Sequence, residues 1–257
     1  MYHYTTQDGL LGILTEGSLW ATKIHYMNDA SELVLPFQIA SSILKDLVKQ
    51  EDAETKREEI LDILDDINLS GEVNICVVSF CTYGDLLSQW RGYGFPSSAY
   101  SIGFDTRRIL ENIESQPFQL LHCRYYDKEE YHKKINEFIV EFLKISKEER
   151  RGFIGSFIEM AATMKLNCFE EEDEWRIVSS EPISSSENGY NFRIRKSVII
   201  PYFALPVDLS SIVEIVIGPC RHPKLAEDSL WGLKHKFGLE NLNSSTLKLS
   251  EIPYRVP

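Results

Sequence analysis

The chain is expected to fold as a single α+β domain over residues 1–257, with a mixed or antiparallel sheet and two helical insertions at about 36–70 and 128–168. Three observations lead there. Short alternating or apolar runs typical of strands occur along the whole length. They are interspersed with helical patterns but follow no strict βαβ rhythm. No internal repeat and no linker rich in Pro, Gly or Ser divides the chain, and Ser184–Gly189 is the best surface loop.

In chain order, residues 1–5 form a short strand with Tyr2 and Tyr4 on one face and His3 and Thr5 on the other. Thr5 or Thr6 caps a helix carrying Leu10, Leu11, Ile13 and Leu14, which Gly17 stops. Leu19-Trp20-Ala21-Thr22 is a second strand. Asp29, three residues before Glu32, resembles a capping box for a helix reaching about Gln50. Glu51–Asp66 holds eight carboxylates yet keeps an apolar stripe through Ile60, Leu61, Ile63, Leu64 and Ile67, the pattern of an amphipathic helix with a solvated face.

Val73–Cys81 is nearly all apolar and predicts a central strand. A short helix over Leu86–Arg91, a strand over Ser98–Phe104 and a helix capped by Asp105 or Thr106 follow. Leu120–Tyr126 is strand-like, and Lys128–Lys165 is largely helical with a break near Ser146 or Gly152. Strands are expected at Glu174–Ser179, Phe192–Ile200, Ile212–Ile217 and Thr246–Leu249, with a helix from about Lys224 to Lys236.

Composition removes several function classes. A net charge of −12 argues against a general electrostatic grip on nucleic acid or anionic membrane, though not against a local basic groove. No apolar run approaches membrane-spanning length, and the first residues have neither the basic start nor the apolar stretch of a signal peptide. Five scattered cysteines without a CxxC fit a reducing cytoplasm, the expected location. The phosphate-binding loops, HExxH, GxSxG and zinc-spaced Cys/His sets are absent, so no metal is expected.

Three constellations remain. Five acidic residues, Glu170 to Glu174, run into Trp175-Arg176-Ile177-Val178. Period-2 alternation places Glu174 and Arg176 on the same face of a rigid strand, and an ion pair there is the plain explanation. Four further carboxylates beside Glu174 should raise its pKa unless Arg176 offsets them. Gln89-Trp90-Arg91-Gly92-Tyr93-Gly94 combines flat rings, a guanidinium and glycines, which suits a planar ligand but equally a core tryptophan beside a turn. Near residue 28, capping accounts for Asp29 and Glu32 and leaves Tyr26 and Asn28 unexplained.

Taken serially, these segments resemble a bacterial family known as domain of unknown function 2971. The matching pieces are Tyr2-His3-Tyr4-Thr5, the Leu14-to-Trp20 turn, Met27-Asn28-Asp29 with Glu32, Val78-Ser79-Phe80-Cys81, Trp90-Arg91-Gly92-Tyr93 and Ser101-Ile102-Gly103-Phe104. Glu172-Asp173-Glu174-Trp175-Arg176, Val216-Ile217-Gly218 and Ser250-Glu251-Ile252-Pro253-Tyr254 complete a set spanning nearly the whole chain. The family implies no activity.

A second similarity does. The opening strand, helix and Gly-ended turn look like the start of ADP-ribosyltransferase-like domains, a resemblance that would imply a split sheet. It implies an NAD-consuming enzyme with His3 and Glu174 as the catalytic pair. The cofactor-binding set would be Tyr4, Thr5, Tyr26, Asn28, Trp90, Arg91, Tyr93 and Arg176. In that reading Glu174 stabilises an oxocarbenium-like charge and orients or deprotonates the acceptor. His3 bonds a ribose, Tyr26 or Trp90 stacks on nicotinamide, with Tyr93 and Tyr100 also eligible for the ring position, and Arg91 or Arg176 neutralises the pyrophosphate.

The implied partners are NAD, a macromolecular acceptor (protein or nucleic acid) and an antitoxin or partner protein, with no membrane. The implied role is a bacterial toxin or anti-phage effector. A non-catalytic nucleotide-binding sensor and a Mg²⁺-dependent nuclease or phosphotransferase are the alternatives. The transferase mapping requires His3, Glu174 and the Trp90–Tyr93 segment to meet in one cleft.

Overall fold

A computed structural model describes residues 1–27, 31–71, 74–93, 99–180, 183, 189–195 and 198–253. The Asp29 capping box, Asn28 and most of the Ser184–Gly189 loop lie outside them. Among the described residues, twelve strands and eight α-helices are ordered as follows. β1 (Tyr2–Thr6), α1 (Gln7–Glu16) and β2 (Ser18–Lys23) open the fold, followed by α2 (Ser31–Gln50) and α3 (Glu54–Ser70). β3 (Cys76–Cys81), α4 (Leu87–Tyr93), β4 (Ala99–Phe104) and α5 (Thr106–Ile113) come next. β5 (Phe118–His122), β6 (Arg124–Tyr126), α6 (Lys128–Phe142), α7 (Arg150–Thr163), β7 (Met164–Leu166) and β8 (Glu174–Ser179) make up the third quarter. β9 (Asn191–Arg195), β10 (Val198–Pro206), β11 (Ile212–Ile217), α8 (Pro223–Phe237) and β12 (Leu247–Leu249) close it.

The expected α+β class holds. Ten strands form one sheet, antiparallel except for the β11–β12 pair, and β6 and β7 form a small parallel pair. Local chemistry sets the boundaries. Thr6 caps α1 by accepting from the Gly9 N–H, and Gly17 ends the helix at φ 61°, a left-handed position that costs glycine no Cβ clash. Asp105 caps α5, and Asp127 with Glu130 makes a capping box on α6.

Some expected segments are divided. The single strand over 120–126 is two, β5 and β6, because β5 pairs with β8 while β6 turns to pair with β7. Phe192–Ile200 is a hairpin, not one strand. The helical run from Lys128 breaks after Phe142, Gly152 lies inside α7, and residues 164–166 are strand.

The centre of the sheet is a seam. β3 pairs with β8 over five positions on one edge. On its other edge it meets β2 at Thr22↔Val77 and Lys23↔Cys76, and β1 at the single pair Tyr2↔Cys81. The β12-β11-β4-β1 half therefore joins the remaining strands at one point, and between Cys81 and Val77 the two parts diverge.

Register fixes the faces. Tyr2, Cys81 and Glu174 are aligned across three strands, as are Ser79 and Arg176, so all five look to one side. Phe80, Trp175, Ile177 and Ile102 look to the other, into the large core that also holds Leu10, Ile13 and Leu14 of α1. On the Glu174 face, α2, α3, α6 and α7 pack into a second core that ends on Val77 and Val178. A third, small core of Tyr4, Cys81, Trp90, Ala99 and Val216 lies under α4. Between the second and third cores the sheet is left uncovered. Among the described residues, no helix is long and apolar enough to cross a membrane.

Candidate functional site

That uncovered strip is the floor of a cleft of about 500 Å³. β1, β3 and β8 supply Tyr2, Tyr4, Ser79, Cys81, Glu174 and Arg176, α4 supplies Gln89 and Tyr93, and Lys165, Phe169 and Glu172 form the opposite wall. The volume is in the range of small-ligand sites.

Glu174 is its electrostatic centre. The residue is 4% exposed and Arg176 1%. Arg176 Nε donates to Glu174 Oε1 at 2.8 Å and Nη2 to Oε2 at 3.0 Å, while Nη1 donates to the Ala162 carbonyl at 2.7 Å. Lys165 Nζ donates to Glu174 Oε2 at 2.6 Å and also to Glu172. Burial works to raise the Glu174 pKa, but the charges and hydrogen bonds of Arg176 and Lys165 outweigh it and hold the group down to about 2. The acidic neighbours were expected to raise this pKa unless Arg176 offset them, and Arg176, joined by Lys165, more than does so. At neutral pH Glu174 is ionised and too weak a base to take a proton efficiently. A carboxylate offers about four acceptor positions; among the described residues three are filled, which leaves one on Oε1 for a hydroxyl.

The acidic run separates into distinct roles. Residues 167–172 form a 3-10 turn, and Asp173 ends it at φ 38°, an uncommon conformation for a residue with a side chain. Its carbonyl accepts from the Thr82 N–H, and its carboxylate sits 2.8 Å from His122 Nε2. Glu171 accepts from Ser88 Oγ of α4. Glu172 belongs to the buried ionic cluster.

The expected catalytic pair is not assembled. His3 lies on the opposite face of β1 from Tyr2 and Tyr4, its ring 5.8 Å from Phe80, and its Nδ1–H donates to the Ser79 carbonyl at 2.9 Å across the seam. Burial lowers its pKa, so the ring is neutral and fills the gap between diverging strands. Glu174 looks the other way. The mapping that needs both in one cleft fails on this register.

Of the other expected ligand-binding residues, Tyr4, Tyr93 and Arg176 border the cleft. The Tyr4 hydroxyl is already engaged, donating to the Tyr83 carbonyl and accepting from the Leu86 N–H. Thr5 is buried opposite Tyr100, under α1, on the far face. Trp90 is 1% exposed and packs edge-on beneath Tyr4 at 4.8 Å, so it cannot stack on a ligand. Its Nε1 donates to Asp85, which also accepts from Ser250 Oγ and the Glu251 N–H and ties residues 250–251 beside α4. Tyr26 is exposed, and it is its neighbour Met27 that lines the cleft. Arg91 is exposed and does not line it.

Sequence reasoning passed over Lys165, Ser79 and Cys81. Ser79 Oγ is shielded from solvent and, among the described residues, has no hydrogen-bond partner, an uncommon state for a buried hydroxyl. Burial pushes the Cys81 thiol well above its ordinary range, which keeps it neutral and inert. Among the described residues, no group of three or more His, Cys, Asp or Glu is placed to hold a metal ion.

Residues 89–177, from α4 through β8, match the model of a family described as protein of unknown function (DUF2971). The resemblance to that family therefore holds. The matched third of the chain carries Gln89, Tyr93, Lys165, Glu172, Glu174 and Arg176, so the segment similar to that family supplies two walls of the cleft and the β8 part of its floor. No curated protein and no solved structure matches the chain.

Proposed function

We propose that the cleft binds a nucleotide of the NAD type through a ribose hydroxyl and an aromatic ring, and that the protein acts as a nucleotide-binding sensor. One observation carries this reading. An ionised carboxylate with a single acceptor position left, Glu174, faces the same recess as the unpartnered Ser79 hydroxyl and the Tyr93 ring. A hydroxyl-bearing, partly aromatic ligand satisfies all three, and Lys165 and Arg176 hold the carboxylate ready without reorganisation. Titration calorimetry with NAD, ADP-ribose and adenosine tests it. Binding of at least one, weakened about tenfold or more in Ser79→Ala and Tyr93→Ala, is the expected result. No heat from any of them at millimolar ligand would sink the reading.

A second reading, ADP-ribosyl transfer to a protein or nucleic acid by a toxin or anti-phage effector, is favoured by the permanent charge of Glu174 and by the divided sheet. Here Glu174 would orient a ribose hydroxyl and oppose developing positive charge, without serving as a base. His3 has no place in it. Nicotinamide release from labelled NAD, lost in Glu174→Gln that still folds, separates transfer from binding alone.

A further inference from the structure

The charges in the Glu174 cleft answer one another, and that limits the ligand it can take. Among the described residues, four ionised groups line it: Lys165, Arg176, Glu172 and Glu174, two of each sign. Both cations are engaged. Lys165 Nζ lies 2.5 Å from Glu172 and 2.6 Å from Glu174. Arg176 holds Glu174 through Nε and Nη2 and the Ala162 carbonyl through Nη1. Tyr2, also in the lining, stays a neutral phenol, because burial and then Glu214 push its pKa up to about 12.

A phosphate entering this space would have to draw Lys165 or Arg176 away from a carboxylate, leaving that carboxylate buried without its partner. It would also stand beside two charges of its own sign. A neutral ligand meets neither obstacle. Glu174 Oε1 accepts from a hydroxyl, and Ser79 Oγ has no partner among the described residues. Gln89 and Tyr93, about one turn apart on α4, add a carboxamide and an aromatic ring to the wall. A carboxamide presents a donor and an acceptor together, the pattern that pairs with an adenine edge or with another carboxamide.

We propose that the cleft recognises an unphosphorylated nucleoside unit, with sugar hydroxyls at Glu174 and Ser79 and the base at Gln89 and Tyr93. Phosphates of a larger ligand stay outside it. This rests on the nucleotide-binding reading above and narrows it: NAD or ADP-ribose is held by one nucleoside, and its phosphates add no affinity.

The test is calorimetry on the full chain with adenosine, 5′-AMP, 3′-AMP and NAD. Adenosine is expected to bind at least as tightly as 5′-AMP or NAD, and at least tenfold more tightly than 3′-AMP, whose phosphate replaces a hydroxyl near Glu174. Glu172→Gln, checked for folding by circular dichroism, relieves Lys165 of one carboxylate and should improve 5′-AMP at least threefold relative to adenosine. Arg221→Gln, in the separate groove of about 810 Å³ between α1 and α8, should leave all four affinities unchanged. The inference is overturned, with the nucleotide-binding reading intact, by 5′-AMP or NAD binding threefold or more tightly than adenosine, or by 3′-AMP matching adenosine. An unaltered ratio in folded Glu172→Gln, or weakened binding in Arg221→Gln, overturns it too. Absence of binding by all four compounds would remove the nucleotide-binding reading itself.

Discussion

In the cleft on one face of the sheet, Arg176 and Lys165 meet Glu172 and Glu174 within hydrogen-bonding distance, and the charges are answered inside the protein. In the groove on the other face, between α1 and α8, Leu10, Leu11, Leu225 and Leu233 make an apolar lining, and among the described residues no carboxylate borders it. The difference follows from the elements that build each recess. Paired strands fix Glu174 and Arg176 on a common face, which lets a buried ionic cluster satisfy its own charges.

The largest effect that would break this comparison is at Arg176. Arg176→Met should leave the Glu174 carboxylate and the Ala162 carbonyl without the guanidinium and destabilise the fold by roughly 3–5 kcal/mol in urea melts. An equivalent loss at Arg221→Gln would erase the contrast; little change in stability is expected there.

Gly218→Ala comes next. The added Cβ would lie 2.7 Å from Trp90 Cε3 and 3.0 Å from the Ala99 carbonyl oxygen, so about 1–3 kcal/mol of overpacking is expected under the cleft. The same substitution at Gly232 should stabilise by about 0.5–1 kcal/mol, since helical preference gains and nothing clashes. Thermal melts of the two alanine variants should therefore shift in opposite directions.

Acid sharpens the contrast further. The folded pKa of Glu174, about 2, lies below its ordinary 4.5. Its stabilising contribution is full above that ordinary value and is lost as pH falls from there toward 2. Acid unfolding of the wild type should show this slope, and Glu174→Gln should lack its share. The smallest effect concerns binding at His3. His3→Asn should cost some stability through the Ser79 contact and leave nucleotide affinity in the cleft unchanged, because the ring faces away.

Much of this was legible along each strand separately. Alternation correctly put Glu174 beside Arg176, with Trp175 and Ile177 behind, and Tyr2 with Tyr4 opposite His3. The relation between strands was not legible. Which face of β1 matches which face of β8 depends on β3, whose pairings at Tyr2↔Cys81 and Cys81↔Glu174 join residues far apart in sequence. A one-residue shift would have put His3 in the cleft. Lys165 was hidden for another reason: the apolar pattern before it is helical, and the turn to strand at Met164 comes from pairing with β6. Trp90 looked like a ligand platform because a ring beside glycine has the same composition whether it is buried or exposed.

The seam has a consequence for measurement. With β1 and β3 joined at one residue pair, the Ser79 carbonyl faces His3 instead of a neighbouring strand, and the amide of Ser79 shares that edge. Deuterium uptake there should outpace that of the fully paired β11–β4 ladder. A molecule lodged against Glu174 and Ser79 would span both parts of the sheet and slow that uptake, so a peptide covering residues 76–81 would report occupancy of the cleft without any knowledge of the chemistry performed in it.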